Sequence, residues 1–216
     1  MTLQNQMGAP SREPKQGRSK ASYERMLAAA EKLLIKTGSD DFTLTDVSKA
    51  GKVSIGSIYC RFDSKDDLVR AVQSKMIERM DAEFEAMLIE VRTAASGLDD
   101  FMPRFVDGFA ESLRQFAPLL RPIMMCASRD HAVSLAGKGS YDRFARQVKT
   151  AMLDYRAEIK RDDHERSVES AYRVIYATVA RYLGLGSSTE ASDEGDWKEL
   201  KEDLGAMCAA FLRTPG

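Results

Sequence analysis

Apolar residues recur at three- and four-residue steps over most of this chain, and nowhere do they alternate in a strand-like run. That period marks helices with one buried face. Tyr23, Met26, Leu27, Ala30, Leu33 and Leu34 predict a helix from about Ala21 to Lys36. Leu68, Val72, Met76, Met80, Phe84, Met87, Leu88 and Val91 predict a long helix reaching Ala94, roughly 45 Å at the helical rise. Ser96-Gly97 interrupts the pattern, and a helix from Asp99 or Asp100 to Phe116 tolerates Pro103 in its first turn. Pro118 and Pro122 predict a break, followed by a helix to Leu135 and a loop at Gly137 to Gly139. Helices from Ser140 to Lys160, His164 to Leu183 and Asp196 to Leu212 complete the series, with Gly184 to Gly195 as a polar connection. The chain is expected to be all-α.

Residues 43 to 65 depart from this pattern of long stripes. Thr43 with Asp46 three residues later is a capping box, and Phe42 is placed to pack on Val47. A short helix from Leu44 to Ala50 follows. Gly51 and Lys52 make a turn, Gly51 supplying left-handed freedom. Ser54 caps a second short helix, Ile55 to Arg61, and Ser64 with Asp67 caps the next. Val47, Ala50, Val53, Ile58 and Phe62 are expected to form a small core with the preceding helix. Ser54, Ile55, Gly56, Ser57, Tyr59 and Arg61 are left outward. Two short helices with a tight turn, the second presenting small residues, suit entry into a DNA major groove. Tyr59, Arg61 and Lys65 suit phosphate oxygens.

Val-Ser-x-Gly-Ser-x-Tyr-x-x-Phe-x-Ser-Lys, from Val53 to Lys65, resembles the recognition region of the TetR (tetracycline repressor) family, and Thr-x-x-x-Val, from Thr43 to Val47, fits it as well. The resemblance covers about residues 20 to 70. It implies an N-terminal three-helix helix-turn-helix DNA-binding domain and a C-terminal helical ligand-binding and dimerisation domain. It places Thr43 and Thr45 at the backbone of one strand. Ser54, Ile55, Gly56 and Ser57 fall at the groove-facing start of the reading helix, and Tyr59, Arg61 and Lys65 at phosphates. Two positions depart. Lys52 stands where the family usually has Gly, and Cys60 where an aromatic residue or His is common.

Charge sharpens this division. Residues 1 to 65 carry eleven Lys/Arg against seven Asp/Glu, a balance of +4, while the whole chain of 216 residues has net charge −1. A basic end on an acidic body suits docking one end on DNA. The polar first 19 residues read as a flexible basic arm, with Arg12, Lys15, Arg18 and Lys20 in reach of the duplex and Arg18 the DNA-contacting candidate. Residues 20 to 66 are then the DNA-binding domain and 67 to 214 the effector-binding and dimerisation domain. No apolar run approaches the ~20 residues of a membrane span, and no signal-peptide core opens the chain. A cytoplasmic protein is expected.

The body carries two further candidate sites. Phe105, Phe109, Met125, Phe144, Tyr155 and Tyr176 give an aromatic and Met-rich lining for a small-molecule effector, a stripe that plain core would also explain. Tyr172, Ile175 and Val179, with Trp197, Leu200, Leu204, Met207 and Phe211, form two apolar stripes for a homodimeric four-helix bundle. Cys60, Cys126 and Cys208 are far apart and odd in number, which reads as reduced thiols. Two histidines make no metal site by themselves, so neither metal nor cofactor is expected. Paired carboxylates, a Ser/His/Asp set and a phosphate-binding glycine loop are absent from the pattern, which argues against an enzyme. The expected function is sequence-specific DNA binding by a transcriptional regulator, most simply a repressor released from a palindromic operator by its effector. The alternative is a helical interaction module that does not bind DNA.

Overall fold

Eight helices form the described residues, 17–185 and 194–216, of a computed structural model, in which the side chains of residues 17 and 18 are outside the description. In chain order they are α1 (Gly17–Thr37), α2 (Leu44–Gly51), α3 (Ile55–Tyr59), α4 (Lys65–Ala94), α5 (Leu98–Ala127), α6 (His131–Leu153), α7 (His164–Tyr182) and α8 (Trp197–Arg213). No strand occurs among the described residues. The all-α expectation holds, and α2, α4, α7 and α8 lie within a residue or two of their predicted bounds.

The fold divides into two compact units. The first comprises the described residues up to Met76 together with Pro122–Ala136, and the second comprises Ile77–Arg121 and the described residues from Gly137 onward. The division is not a single cut near residue 66, because α4, α5 and α6 each contribute to both units.

The first unit is built on a core of Met26, Leu27, Ala30, Leu34, Val47, Ile58, Phe62 and Leu68, all buried. Tyr23 stacks on Phe62 at 5.8 Å. Ala50, expected in this core, is exposed, and its neighbour Gly51 is buried instead. A Cβ on Gly51 would stand 3.0 Å from the carbonyl oxygen of Arg25 and 3.3 Å from Cβ of Ala29. This glycine therefore serves the close approach of α1 and α2. The left-handed residue of the turn is Lys52, at φ 49 and ψ 47.

The second unit is filled by rings. Phe84 meets Phe109, Phe116 and Phe144 at 5.6, 6.4 and 4.5 Å. The inner faces of α7 and α8 close it with Val168, Tyr172, Ile175, Val179, Leu204 and Leu212. Trp197 and Lys201 both donate to Glu111, at 2.7 and 2.5 Å, which ties α8 to α5. Glu158 accepts from the Leu98 amide at 3.2 Å and caps the start of α5.

Two predicted breaks are not breaks. Helix α5 runs unbroken through Pro118 and Pro122, and α6 through Gly137 and Gly139; the loop between them is Ser128–Asp130. An interior proline costs ~3 kcal/mol, but burial of one Leu or Ile side chain returns ~1.5–3 kcal/mol. Leu113, Ala117, Leu119 and Ile123 are all buried around the prolines. Glycines cost about 1 kcal/mol each in a helix. Past them, Ser140 and Arg143 both donate to Asp81 at 2.6 Å, and Phe144 and Val148 are buried. Helix α6 also stops at Leu153, short of Lys160, where Tyr155 and Glu158 turn through three-residue hydrogen bonds.

Candidate nucleic-acid interface

The reading unit is assembled by its caps. The Thr43 amide donates to the Asp46 carboxylate at 2.9 Å, and the Asp46 amide donates to the Thr43 hydroxyl at 3.1 Å, completing the box that opens α2. The turn is fastened twice: the Val53 amide donates to the Ser48 carbonyl at 3.1 Å, and the Ser48 hydroxyl to the Val53 carbonyl at 2.6 Å. Ser54 then caps α3, accepting from the Ser57 amide at 3.1 Å, while the two serine hydroxyls share a 2.7 Å hydrogen bond. Ile58 is the buried anchor that holds α3 to the core.

Against that anchor, Ser54, Ile55, Gly56, Tyr59 and Cys60 are exposed, Tyr59 by 59%. Nothing lies within 4 Å of a Cβ built on Gly56, so the middle of this face is open. Ser57 is half-buried beside Ser54, and Thr43 and Thr45 are exposed at the start of α2. The chain thus brings seven of the ten predicted DNA-contact residues together on two adjacent short helices and their caps.

Two of the other three are paired within the subunit, and the third lies outside the description. Arg61 turns back and donates to the carbonyl and hydroxyl of Ser19 at 2.9 and 2.6 Å. Lys65 donates to the Asp40 carbonyl at 2.6 Å, pairs with its carboxylate at 3.0 Å and lies over the Phe42 ring. Both cations have partners inside the subunit. The side chain of Arg18 lies outside the described residues, as do residues 1–16 of the predicted arm.

Asp40 is a polar hub of the first unit. It is 7% exposed and receives both Lys65 and Arg129, the latter from the loop between α5 and α6. Burial pushes its carboxyl up, but hydrogen bonds from Arg129 and Lys65 outweigh that and hold it below the usual carboxylate range. Arg70 pairs with Asp130 and Asp67 at 2.8 and 2.9 Å, and Gln73 donates to the Val133 carbonyl at 2.8 Å. A carboxyl held below its unfolded value near ~3.9 contributes stability that is full above that pH and lost as pH falls through the folded value. We expect Asp40→Asn to lower stability by about 1–2 kcal/mol at pH 7, modest because Arg129 and Lys65 are partly solvated. The gap between parent and variant in thermal unfolding should narrow as pH falls below ~4. A gap constant with pH would show that the charge of Asp40 contributes nothing.

The remaining predicted sites lie elsewhere. Phe105, Phe109 and Phe144 are buried and Tyr155 and Tyr176 half-buried in the second unit, with ring contacts from Phe101 to Tyr155 and from Phe109 to Tyr176. Met125 does not join them: it belongs to the first unit and is 58% exposed. Of the expected dimer stripe, Tyr172, Ile175, Val179 and Leu204 are buried within the subunit. Helical spacing reports that a face is apolar, not which chain covers it. Trp197, Leu200 and Phe211 are half-buried and Met207 is exposed. Val174, 53% exposed, and Ala177, Ala206 and Ala210 accompany Met207 on the outward faces of α7 and α8. Single apolar residues among polar ones carried no periodic signal. No helix among the described residues is long and apolar enough to cross a membrane. No cluster of three or more His, Cys, Asp or Glu suited to a metal occurs among them. Burial pushes the thiol of Cys126 up, and that of Cys208 up to about 11.

Residues 26–72 match the model of the bacterial regulatory proteins of the tetR family. No curated protein matches the chain. Among solved structures, GusR of Salmonella enterica is similar at 22% identity and TM-score 0.65, over 93% of this chain and 100% of that one. A chain from Mesorhizobium loti MAFF303099, described as a TetR-family transcriptional regulator, is similar at 17% identity and TM-score 0.73, over 91% and 98%. A TetR-family transcriptional regulator from Streptomyces coelicolor is similar at 15% identity and TM-score 0.62, over 90% and 97%. These likenesses establish the shared fold, and the match at α1 to α4 establishes whose reading unit it is. Residues 26–72 thus carry the DNA-binding region of the tetR family of bacterial regulatory proteins, on a fold shared with solved TetR-family regulators.

Proposed function

We propose that the chain acts in the cytoplasm as a homodimeric repressor that grips a palindromic operator with α3 and lets go when a small apolar effector enters its body. The observation that carries this reading is the open face of α3. Ser54, Ile55, Gly56 and Tyr59 are exposed on a helix whose other side is anchored by Ile58. Small residues at the front of such a helix allow approach to base edges, and Tyr59 reaches a phosphate.

Dimerisation is supported by the outward faces of α7 and α8. Val174, Ala177, Ala206, Met207 and Ala210 give an exposed apolar surface with small residues, suited to close packing of two helices from each chain about a two-fold axis. Two reading helices one turn apart, ~34–36 Å, then meet successive major grooves, and a palindrome follows from the symmetry. Effector binding is supported by the aromatic layer of Phe105, Phe109, Phe144, Tyr155 and Tyr176. Burial keeps the phenols of Tyr172 and Tyr176 protonated there, so they are donors rather than anions. An effector with greater affinity for a second arrangement of the body shifts the population away from the DNA-gripping one; equal affinity for both shifts nothing. Blocking transcription needs no reaction, so no enzymatic step is assigned.

The dimer is the part most open to test. Met207→Glu places two carboxylates, one from each copy, in the proposed bundle. We expect dimerisation weaker by at least ~100-fold and operator affinity reduced with it, read by sedimentation at micromolar protein and by fluorescence anisotropy. A parent chain that sediments as a monomer, or a variant dimer as strong as the parent, would reject this interface.

A further inference from the structure

Arg61 and Lys65 are held by Ser19 and Asp40, yet a protein grips a duplex chiefly by neutralising phosphates with lysine and arginine. On α2, α3 and the turn between them, the exposed cations that remain are Lys49 and Lys52. Lys52 is also the one non-glycine residue with positive φ among the described residues. The left-handed conformation crowds the Cβ of any L residue and costs glycine nothing. Nor does the turn need a lysine. Its fastenings are the amide and carbonyl of Val53 with Ser48, and the Lys52 amide with Lys49 at 3.4 Å, all independent of the Lys52 side chain. Glycine would make the same corner with less strain. What glycine would not supply is a charge, standing two residues ahead of the cap of the reading helix.

We infer that Lys52 is a phosphate-contacting residue of the DNA interface, and that its strained backbone is stability given up for that contact. The inference rests on the DNA-binding reading and adds a residue outside the predicted contact set. It divides the duties of the cations: Arg61 and Lys65 brace the unit, and the turn carries charge to the backbone of the duplex.

The test compares the full chain with Lys52→Gly, Lys52→Asn and Lys52→Arg. Thermal unfolding is measured beside titration of a random-sequence 30-base-pair duplex between 50 and 300 mM KCl. Lys52→Gly should melt ~2–4 °C higher. It should also bind about three- to tenfold more weakly, with a salt slope shallower by about one. Lys52→Asn, which tolerates the left-handed region, should lose the same slope, and Lys52→Arg should keep it. A glycine variant with the affinity and slope of the parent overturns the phosphate contact, and one that melts no higher overturns the strain. If the parent itself ignores the duplex, the DNA-binding reading fails first, and that outcome is distinct from a failure of Lys52 alone.

Discussion

Replacing Gly56 by Glu should abolish operator binding while leaving the fold as stable as before. The side chain has room, because nothing lies within 4 Å of the new Cβ. Glycine inside a helix is itself unfavourable, so local stability should not fall. The new carboxylate, however, stands in the middle of the outward face of α3, between Ser54 and Tyr59. Against a duplex it meets phosphates and acceptor-rich base edges, and like charges brought together cost several kcal/mol. We expect affinity to drop at least ~100-fold, with the melting temperature within about 1 °C of the parent. Gly56→Ala controls for loss of glycine alone and should bind within a few-fold. Tight binding by the Glu variant would mean that this face of α3 does not approach DNA.

Gly205→Val should destabilise the body. Helix α8 crosses α5 so closely that a Cβ on Gly205 would lie 2.8 Å from Cα of Pro103. That atom is backbone and cannot swing aside, so the two helices must separate along their contact. Leu204, Cys208 and Leu212 would then lose part of their burial. Overpacking of this kind costs ~1–3 kcal/mol, and a branched side chain belongs at the upper end. In a chain of this size that is a fall of at least ~6 °C in melting temperature. Gly51→Ala meets a milder obstruction, 3.0 Å from the Arg25 carbonyl, with an Ala29 Cβ beside it. A Gly205 variant that melts with the parent would contradict the packing of α8 on α5 described above.

The reading unit was legible because its signals are local. Thr43 with Asp46, Ser54 with Ser57 and Ser64 with Asp67 cap within three residues, and each hydrogen bond is present. What the segment did not show shares one cause, which is that the partners are distant in sequence. Lys65 is taken by a residue 25 positions away and Arg61 by one 42 away. Nothing in the segment itself marks Asp40 or Ser19 as their partners. Pro118, Pro122, Gly137 and Gly139 look like breaks, but burial of Leu119, Ile123, Phe144 and Val148 outweighs their cost. They fall close to where α5 and α6 pass from one unit to the other, so their composition marked a boundary of units rather than of helices. The turn shows the same limit at closer range. Glycine at 51 suggested left-handed freedom, whereas contact with α1 claims that glycine and leaves the left-handed position to Lys52.

Selection of bound duplexes from a random pool by the purified full chain tests the central claim most directly. A two-fold dimer reading through α3 predicts enrichment of one palindrome, its half-sites about one helical turn apart, bound with a steep dependence on salt. A pool that emerges unenriched, or a chain that binds no duplex at low salt, would contradict it.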